Sequence, residues 1–182
     1  MTRKIVIPQE EAEARLLQAG ETVLLSGMIY TARDAAHRRM QEALQSGQEL
    51  PIPIKGQAIY YTGPGPASPG RIIGAAGPTT SGRMDVYTPP LLAKGLRIMI
   101  GKGMRSPEVV ESMKKYGAVY LAAIGGAGAL LAERILDAEV VAYPELGPEA
   151  ILRLWVEDFP AIVVIDCDGN NWYEIGRAKY RR

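Results

Sequence analysis

The sequence predicts a protein of the α/β class with a largely parallel α/β layer in its C-terminal half. From about Leu91 onward, short apolar runs typical of strands alternate with segments of helical character, which is the pattern of β-α-β units. The first half is richer in β-type residues and in prolines. Apolar residues make up 47% of the 182 residues, enough for one domain with a hydrophobic core, so we expect a single domain over residues 1–182.

The first half is predicted to contain strands, helices and one long loop. Apolar and β-branched runs indicate strands at 4–7, 22–32, 58–61 and 71–77. Helical patterns cover 10–18, ended by Gly20, and 33–47, which closes at Gly47, and glycine is common at helix C-termini. The stretch GPGPASPG at 63–70 must be a turn or a loop, because glycine and proline at this density interrupt both helices and strands.

The second half is predicted to alternate between strands and helices and to end in a hairpin. The strands are predicted at 96–101, 118–126 and 138–146, and the helices at 106–117, 127–136 and 147–156. The helix at 106–117 has the clearest ends, with Ser106 at the N-cap, Pro107 in the first turn and Gly117 after the last. The hairpin is predicted over 161–175, with its turn at Asp168–Gly169–Asn170.

Composition excludes several classes of protein. The 21 basic and 20 acidic residues balance, which argues against a dedicated nucleic-acid-binding protein. No run approaches the roughly 18 apolar residues of a membrane span, and the N-terminus lacks a signal peptide, so we expect a cytoplasmic protein that binds no membrane. One cysteine, Cys167, and one histidine, His37, cannot form a disulfide or a self-contained zinc or iron–sulfur site. Any metal would need ligands from a partner, or carboxylates.

Two glycine-rich stretches resemble nucleotide-binding motifs but fail in detail. In GLRIMIGKGMRS (95–106), Gly103 stands where a P-loop needs serine or threonine. In AIGGAGALL (123–131), Leu131 occupies the position of the third glycine of a dinucleotide fingerprint. Both stretches are therefore interpreted as turns at strand ends. Lys102 remains a candidate for anion binding, because ligands of open α/β sheets lie at the C-terminal ends of strands.

Two further cations lie at predicted helix starts. Arg33 and His37 are four residues apart, so they share a helical face directly after a predicted strand. In GPTTSGRMD (77–85), Thr79 and Arg83 are also four apart, and if a helix begins there both lie near its N-terminal amides. An arginine, a hydroxyl and free N–H donors suit a carboxylate or phosphate, and together with Lys102 they would suit a small dianion. The alternative is that these are solvent-facing charges at capped helix ends.

The same stretches resemble the β subunit, or C-terminal β region, of class I fumarate hydratases and L-tartrate dehydratases. The resemblance covers about residues 22–171 in the family's order. It is carried by SGMIYTARDAAH, YYTGPGPASPG, IGAAGPTTSGRMD, GKGMRS, YLAAIGGAGALLA, VVAYPELGPEAI and VEDFPAIVVIDCDGN. One departure is Met104, where the family commonly has asparagine.

The resemblance implies a swivelling β/β/α fold and an oxygen-sensitive [4Fe-4S] hydro-lyase that hydrates fumarate to (S)-malate. In the family, three cysteines of an α subunit hold the cluster, so no metal ligand is expected in this chain. The implied partner is that α subunit, in a heterotetramer of two α and two β chains, and the implied substrate is a small dicarboxylate. L-tartrate dehydratase and mesaconase are alternative activities, and a non-catalytic anion-binding module is a more distant one.

The resemblance also implies roles for individual residues. The family's substrate-binding arginines fall on Arg33 and Arg83, its substrate lysine on Lys102, and its proposed catalytic threonine on Thr79. Possible supporting residues are Asp34, His37 and Thr80. His37 would either relay a proton to Thr79 or anchor its helix.

Overall fold

The computed structural model describes residues 2–181 and contains a seven-stranded mixed sheet with helices in its connections. The strands are β1 Thr2–Ile7, β2 Thr22–Thr31, β3 Ala58–Tyr60, β4 Ile98–Gly101, β5 Val119–Ala122, β6 Ile135–Ala142 and β7 Ile151–Ile165. The helices are α1 Glu11–Ala14, α2 Asp34–Gln45, α3 Thr88–Ala93, α4 Pro107–Tyr116, α5 Gly128–Ala132 and α6 Trp172–Tyr180. Two 3-10 helices cover Ser81–Tyr87 and Pro144–Glu149.

The sheet closes on itself through its longest strand. Strands β1 to β5 are successive parallel neighbours. Strand β7 runs antiparallel to β2 along most of its length and to β5 near its C-terminal end. The strands β2, β3, β4, β5 and β7 therefore form a closed ring, with β1 beside β2 and β6 beside β7. The α/β class with a mixed sheet is confirmed, while the swivelling description stays an expectation from the resemblance.

The parallel layer lies elsewhere than predicted. Parallel pairing belongs to β1 through β5, which straddle both halves of the chain, and the two C-terminal strands are antiparallel. The helix predicted over 147–156 is wrong, because β7 begins at Ile151. Ile151, Leu154 and Trp155 have the spacing of a helical face, but the pairing of Leu154 and Trp155 with the distant β2 makes this segment a strand, in which Leu154 is buried and Trp155 is exposed.

The predicted C-terminal hairpin is also wrong. After β7 the chain makes a tight turn, in which Asp166 accepts hydrogen bonds from the backbone N–H groups of Asp168 and Asn170. It then enters α6, whose N-cap Asn171 accepts a hydrogen bond from the Tyr173 N–H. The predicted turn is present, but it leads into a helix rather than into a returning strand.

Other boundaries differ more modestly. The segment 71–77 is irregular rather than a strand, and the helix predicted over 10–18 is confined to Glu11–Ala14. The helix predicted over 127–136 ends at Ala132, and β6 starts at Ile135 and ends four residues earlier than the predicted Leu146. The α4 prediction is confirmed in detail: Ser106 accepts a hydrogen bond from Val109 N–H, and Gly117 has the left-handed φ of 64°.

Alternate residues of the central strands enter two different hydrophobic clusters. In β3, Ala58 and Tyr60 join the cluster that contains Phe159, while Ile59 joins the cluster that contains residues of α2, α3 and α4. In β4, Ile98 and Ile100 join the first cluster and Met99 joins the second. Burial on both faces explains why these strands are continuously apolar.

Within residues 2–181, the structure has no helix of the length and apolar character needed to cross a membrane.

Candidate functional site

Two of the predicted site residues follow the C-terminal ends of parallel strands. Arg33 comes after β2 and Lys102 after β4, and these strands belong to the run β2-β3-β4-β5 of the sheet. Because the strands are parallel, the segments after them lie along one edge of the sheet. We call the residues on this edge, Arg33, Asp34, Thr79, Thr80, Arg83, Lys102 and Glu149, the cationic edge.

Backbone hydrogen bonds bring the threonine pair to Lys102. The N–H of Thr79 donates to the carbonyl of Tyr61 at 2.7 Å, and the carbonyl of Thr79 accepts from the N–H of Lys102 at 3.3 Å. Thr80 forms an isolated parallel bridge with Lys102, and the Ser81 N–H donates to the Lys102 carbonyl at 2.9 Å. This short extended segment spans the ends of β3 and β4 and then turns into the 3-10 helix that carries Arg83.

Thr79 and Arg83 do not share one helix. The helix proposed at the Thr-Thr pair begins only at Ser81 and is a 3-10 helix, with Thr80 at its N-cap and Thr79 outside it. The pair is nevertheless close to Lys102, which sequence spacing did not predict. Thr79 is partly buried, whereas Thr80 is exposed.

One carboxylate joins the two predicted arginines. Arg83 Nε lies 2.8 Å from Asp34 Oδ1, and Arg33 Nε lies 4.0 Å from Asp34 Oδ2. Asp34 is the first residue of α2, where a negative charge also favours the helix N-terminus. Two of the three predicted cations are thus held around one residue that the sequence had given only a supporting role.

Arg33 is fixed on its other side by Glu149. Glu149 Oε1 lies 3.5 Å from Arg33 Nη2, and Glu149 Oε2 accepts a hydrogen bond from the Ala35 N–H at 2.9 Å. Arg33 also lies against Gly63, where an added Cβ would come within 2.7 Å of Arg33 Nη1. The glycine therefore leaves the space that the guanidinium occupies.

Buried polar atoms remain without partners beside these ion pairs. Among residues 2–181, Arg33 Nε and Asp34 Oδ2 are buried and make no hydrogen bond. A buried donor or acceptor that is left unsatisfied destabilises the protein by about 1–3 kcal/mol, so such groups commonly mark functional positions. The cationic edge brings three cations and two carboxylates together, which favours an anionic ligand.

His37 supports the start of α2 from inside the protein. Its Nδ1 lies 2.9 Å from the Arg33 carbonyl, which can only accept, so Nδ1 carries the proton. The ring is buried and packs edge-on against Tyr61, with centroids 5.3 Å apart. Burial is the main cause that lowers the pKa of His37 to about 4; the charge of Arg105 acts in the same direction, and the hydrogen bond to the Arg33 carbonyl opposes it. His37 is therefore neutral at pH 7 and anchors its helix.

The match of this chain to known proteins extends over most of its length. Residues 1–176 match the family model described as the fumarase C-terminus. The chain belongs to the fumarase C-terminus family. It is 44% identical over 171 residues to the aerobic class I fumarate hydratase of Escherichia coli K12, covering 92% of this chain and 31% of that protein. It is 41% identical over 170 residues to fumarate hydratase 2 of Leishmania major, covering 91% of this chain and 30% of that protein.

A third relative has a length close to that of this fumarase C-terminus chain. The putative L(+)-tartrate dehydratase subunit beta of Methanocaldococcus jannaschii is 39% identical over 168 residues, covering 89% of this chain and 86% of that protein. By contrast, the chain spans only about a third of the fumarate hydratases it matches. The family resemblance inferred from the sequence motifs is thus confirmed.

Within residues 2–181, the potential metal ligands of this fumarase C-terminus chain are not gathered into one site. Cys167 follows the end of β7, and since Ile162 of β7 pairs with Thr22 at the start of β2, this thiol lies at the edge opposite the cationic edge. Throughout the part of the chain that is described, no three His, Cys, Asp or Glu side chains are grouped to hold a metal ion. The described residues of this chain therefore do not fit an iron–sulfur cluster.

Sequence reasoning missed Glu149. Its only signal was its place in the matching stretch ELGPEA, which carried the resemblance but suggested no role. Its contact with Arg33 joins residues 116 positions apart, and no local pattern predicts such a contact.

Proposed function

We propose that this chain is the β subunit of a hydro-lyase that reversibly hydrates fumarate to (S)-malate. In this proposal an α subunit carries a [4Fe-4S] cluster, and the chain is active only with it. The single observation that supports it most is the gathering of Arg33, Arg83 and Lys102 on one sheet edge, in a chain of the fumarase C-terminus family. Fumarate and malate are dianions, and this edge offers them cations.

In the proposed complex, Arg33 and Arg83 bind the substrate carboxylates. The side chain of Arg83 is 52% exposed, so an incoming carboxylate can reach it. A planar guanidinium presents two parallel N–H groups to a carboxylate, which fixes orientation as well as position. Lys102 is exposed at the same edge and adds a mobile positive charge. During malate dehydration, charge builds on the carboxylate next to the carbon that loses its proton, and these cations stabilise that charge.

Thr79 is the proposed proton-transferring group of this chain. An alcohol is a very weak acid, so Thr79 can act as a base only in a strong positive field or through a relay. The backbone of Thr79 is hydrogen-bonded to that of Lys102, so Lys102 is the proposed source of such a field. His37 does not suit the relay, because its pKa of about 4 makes its free Nε2 a weak proton acceptor at pH 7 and its Nδ1 proton is engaged by the Arg33 carbonyl.

The cluster belongs to the partner in this proposal because the chain has one cysteine, at the opposite edge. The name of the M. jannaschii relative, a subunit beta, supports a separate polypeptide as that partner. Two α and two β chains are the proposed stoichiometry, which the mass of the purified complex will test.

L-tartrate dehydration is the second candidate activity, favoured by the same relative. Tartrate carries the same two carboxylates and differs from malate by a hydroxyl group, so the cationic edge would bind both. Mesaconate, a methyl-substituted fumarate, also carries two carboxylates, so in this proposal the cationic edge would bind it as well. A non-catalytic anion-binding module is the remaining alternative.

The test is an anaerobic assay of the chain copurified with a cluster-bearing partner. Fumarate, (S)-malate, L-tartrate and mesaconate are supplied in turn. We expect a brown, air-sensitive complex with its highest kcat/KM for fumarate and malate, and no turnover by the isolated chain. A higher kcat/KM for tartrate or mesaconate would identify that compound, rather than fumarate, as the substrate. Robust activity of the isolated chain, or a colourless complex inactive on all four compounds, would overturn the proposal.

Removing one cationic side chain tests the site directly. We expect Arg83→Ala to lower kcat/KM of the complex for fumarate by about 10²–10³-fold, because one preorganised group that stabilises developing charge contributes about that much. Arg38→Ala is the matched control, because Arg38 is an exposed arginine that lies within α2, the helix that Arg33 precedes. Equal kcat/KM values for Arg83→Ala and Arg38→Ala would show that Arg83 does not bind the substrate.

A further inference from the structure

We infer that Arg105 is a positioning residue for Arg83 and Lys102. This inference rests on the proposed function and assigns a role to a side chain that contacts neither substrate nor cluster in that proposal. Arg105 joins the 3-10 helix that carries Arg83 to the turn that carries Lys102, and it does so from inside the protein. A small shift in either segment would move a cation away from its carboxylate partner.

Arg105 is fully buried and paired. Its side chain has 0% exposure, and that of Asp85 has 12%. Arg105 Nε donates to Asp85 Oδ1 at 2.7 Å. Removing an arginine from water is costly unless its charge is paired and its N–H groups are bonded. An ion pair with this burial therefore needs a specific geometry, and the rest of its contacts show which segments that geometry joins.

The ion pair ties together two stretches of chain. Arg105 Nη2 donates to Thr88 Oγ1 at 2.9 Å, and Thr88 Oγ1 in turn donates to the Met84 carbonyl at 2.8 Å. In the other direction, Asp85 Oδ2 accepts from the Ser106 N–H at 2.6 Å. Each stretch thus holds the other through a charged side chain.

Two tyrosines complete the link. The guanidinium of Arg105 lies 5.3 Å from the ring centre of Tyr61 and 5.1 Å from that of Tyr120. The Tyr120 phenol donates to the Gly103 carbonyl at 3.0 Å and shares a 2.8 Å hydrogen bond with Ser81 Oγ. A buried cation close to two aromatic rings is attracted by both, which restricts where it can lie.

These contacts bracket the proposed substrate-binding cations along the sequence. Ser81 and Asp85 lie two residues to either side of Arg83, and Gly103 directly follows Lys102. Arg83 and Lys102 themselves point to the exposed surface, so their backbones must be fixed by such neighbours. Arginine is required at 105 because lysine has neither the planar fork for Asp85 and Thr88 nor the flat face for two rings.

Arg97 supplies a matched control. Its side chain is 12% exposed, and it donates to the Tyr116 carbonyl at 2.7 Å and to Glu11 Oε2 at 3.1 Å. It immediately precedes β4, whereas Lys102 follows β4, so it lies at the opposite edge of the sheet. Arg97→Lys therefore perturbs a largely buried arginine network of similar kind without touching the cationic edge.

The first test compares Arg105→Lys with Arg97→Lys in the complex with the partner. We expect Arg105→Lys to lower kcat/KM by about 30- to 100-fold, the effect of misplacing substrate-binding groups by about 1 Å, and Arg97→Lys to change it less than threefold. In an Arg83→Ala background, Arg105→Lys should cost less than tenfold, because part of its effect passes through Arg83. The inference would be overturned if Arg105→Lys lowered kcat/KM by the same factor in the wild-type and Arg83→Ala proteins. Equal kcat/KM values for Arg105→Lys and Arg97→Lys would also overturn it.

A second test does not depend on the substrate. Hydrogen exchange of the full chain should speed up at 79–85 and 102–106 in Arg105→Lys and stay unchanged there in Arg97→Lys. Unchanged exchange in Arg105→Lys would overturn the inference even if the complex hydrates fumarate. Faster exchange together with a complex inactive on every dicarboxylate would support the link between the two segments and reject the proposed function. If Arg105→Lys does not fold, Thr88→Val, which removes one acceptor of the guanidinium, is measured in the same way.

Discussion

At the scale of single residues, the proposed substrate-binding arginines are already paired with carboxylates of the same chain. Asp34 contacts Arg83 at 2.8 Å, and Glu149 contacts Arg33 at 3.5 Å. Partly exposed ion pairs stabilise proteins by only about 0–1 kcal/mol, so a substrate carboxylate can compete for Arg83 at small cost. The internal carboxylates orient the guanidinium groups without blocking them.

The pH dependence of stability is predicted from His37. Its pKa in the folded protein, about 4, lies below the value of about 6.5 for a free histidine. Between these values the unfolded chain binds more protons than the folded one, so the stabilisation is complete above pH 6.5 and is lost as the pH falls toward 4. We expect this histidine alone to lower the free energy of unfolding by about 2 kcal/mol between pH 7.5 and pH 5.

Urea unfolding of the wild-type chain and of His37→Gln at the two pH values checks this. The chain has one histidine, so the variant gives the baseline from all other groups. The variant should lose most of the pH dependence in this range. Parallel curves for the two proteins would show that His37 is not a buried neutral imidazole.

At the scale of elements, the loop after β3 shapes the space for Arg33. An added Cβ at Gly63 would meet Arg33 Nη1 at 2.7 Å, Arg33 Cδ at 3.0 Å and the Pro148 carbonyl at 3.1 Å. We expect Gly63→Ala to displace the guanidinium and to lower kcat/KM of the complex by about tenfold or more, because a small misplacement of a binding group is costly.

Gly65→Ala is the control for this prediction. Gly65 lies in the same loop, and a Cβ there would meet no atom closer than the Ala75 nitrogen at 3.9 Å. Steady-state kinetics of both variants, with their melting temperatures, separate an effect on Arg33 from general loosening of the loop. Similar activity for Gly63→Ala and Gly65→Ala would contradict the proposed position of Arg33.

The elements that the sequence predicted well are those with local signals at their ends. Ser106, Pro107 and Gly117 delimit α4 through capping and backbone preferences that act within a few residues. Strand β7 has no such signal: the apolar residues at its start have helical spacing, and its partner residues in β2 lie more than 120 positions away in the sequence. Pairing with β2, rather than the local sequence pattern, therefore determines that this segment is a strand.

The same distinction applies to the site. Arg33 and Lys102 could be predicted because they follow strands, and in α/β proteins that position is where ligands bind. Glu149, Asp85 and Arg105 could not, since their contacts join segments that only the folded chain brings together. The motif resemblance located all three stretches but did not distinguish a binding residue from one that positions it.

At the scale of the whole molecule, β7 explains how one edge of the sheet gathers the site. By pairing with both β2 and β5 it closes the ring, so the segments after β2, β3, β4 and β5 are held around a common rim. The packed first cluster on one face of these strands, which includes Phe159 against Tyr60, makes that rim rigid. A rigid rim suits a site that must hold several cations in fixed relation.

We propose a division of labour with a partner. In this proposal the chain supplies cations and a hydroxyl, and its single thiol lies at the far edge. It corresponds to about a third of the class I fumarate hydratase it resembles in E. coli. In our proposal the remaining function, that of the cluster, resides in the α subunit.

The most direct measurement is an anaerobic crystal structure of the two-chain complex with (S)-malate. Our account predicts that the malate carboxylates contact Arg33 and Arg83, that Lys102 and the Thr79 hydroxyl lie within hydrogen-bonding distance of the ligand, and that the cluster is held by the partner. Malate bound away from the cationic edge, or a cluster ligated by Cys167, would contradict it.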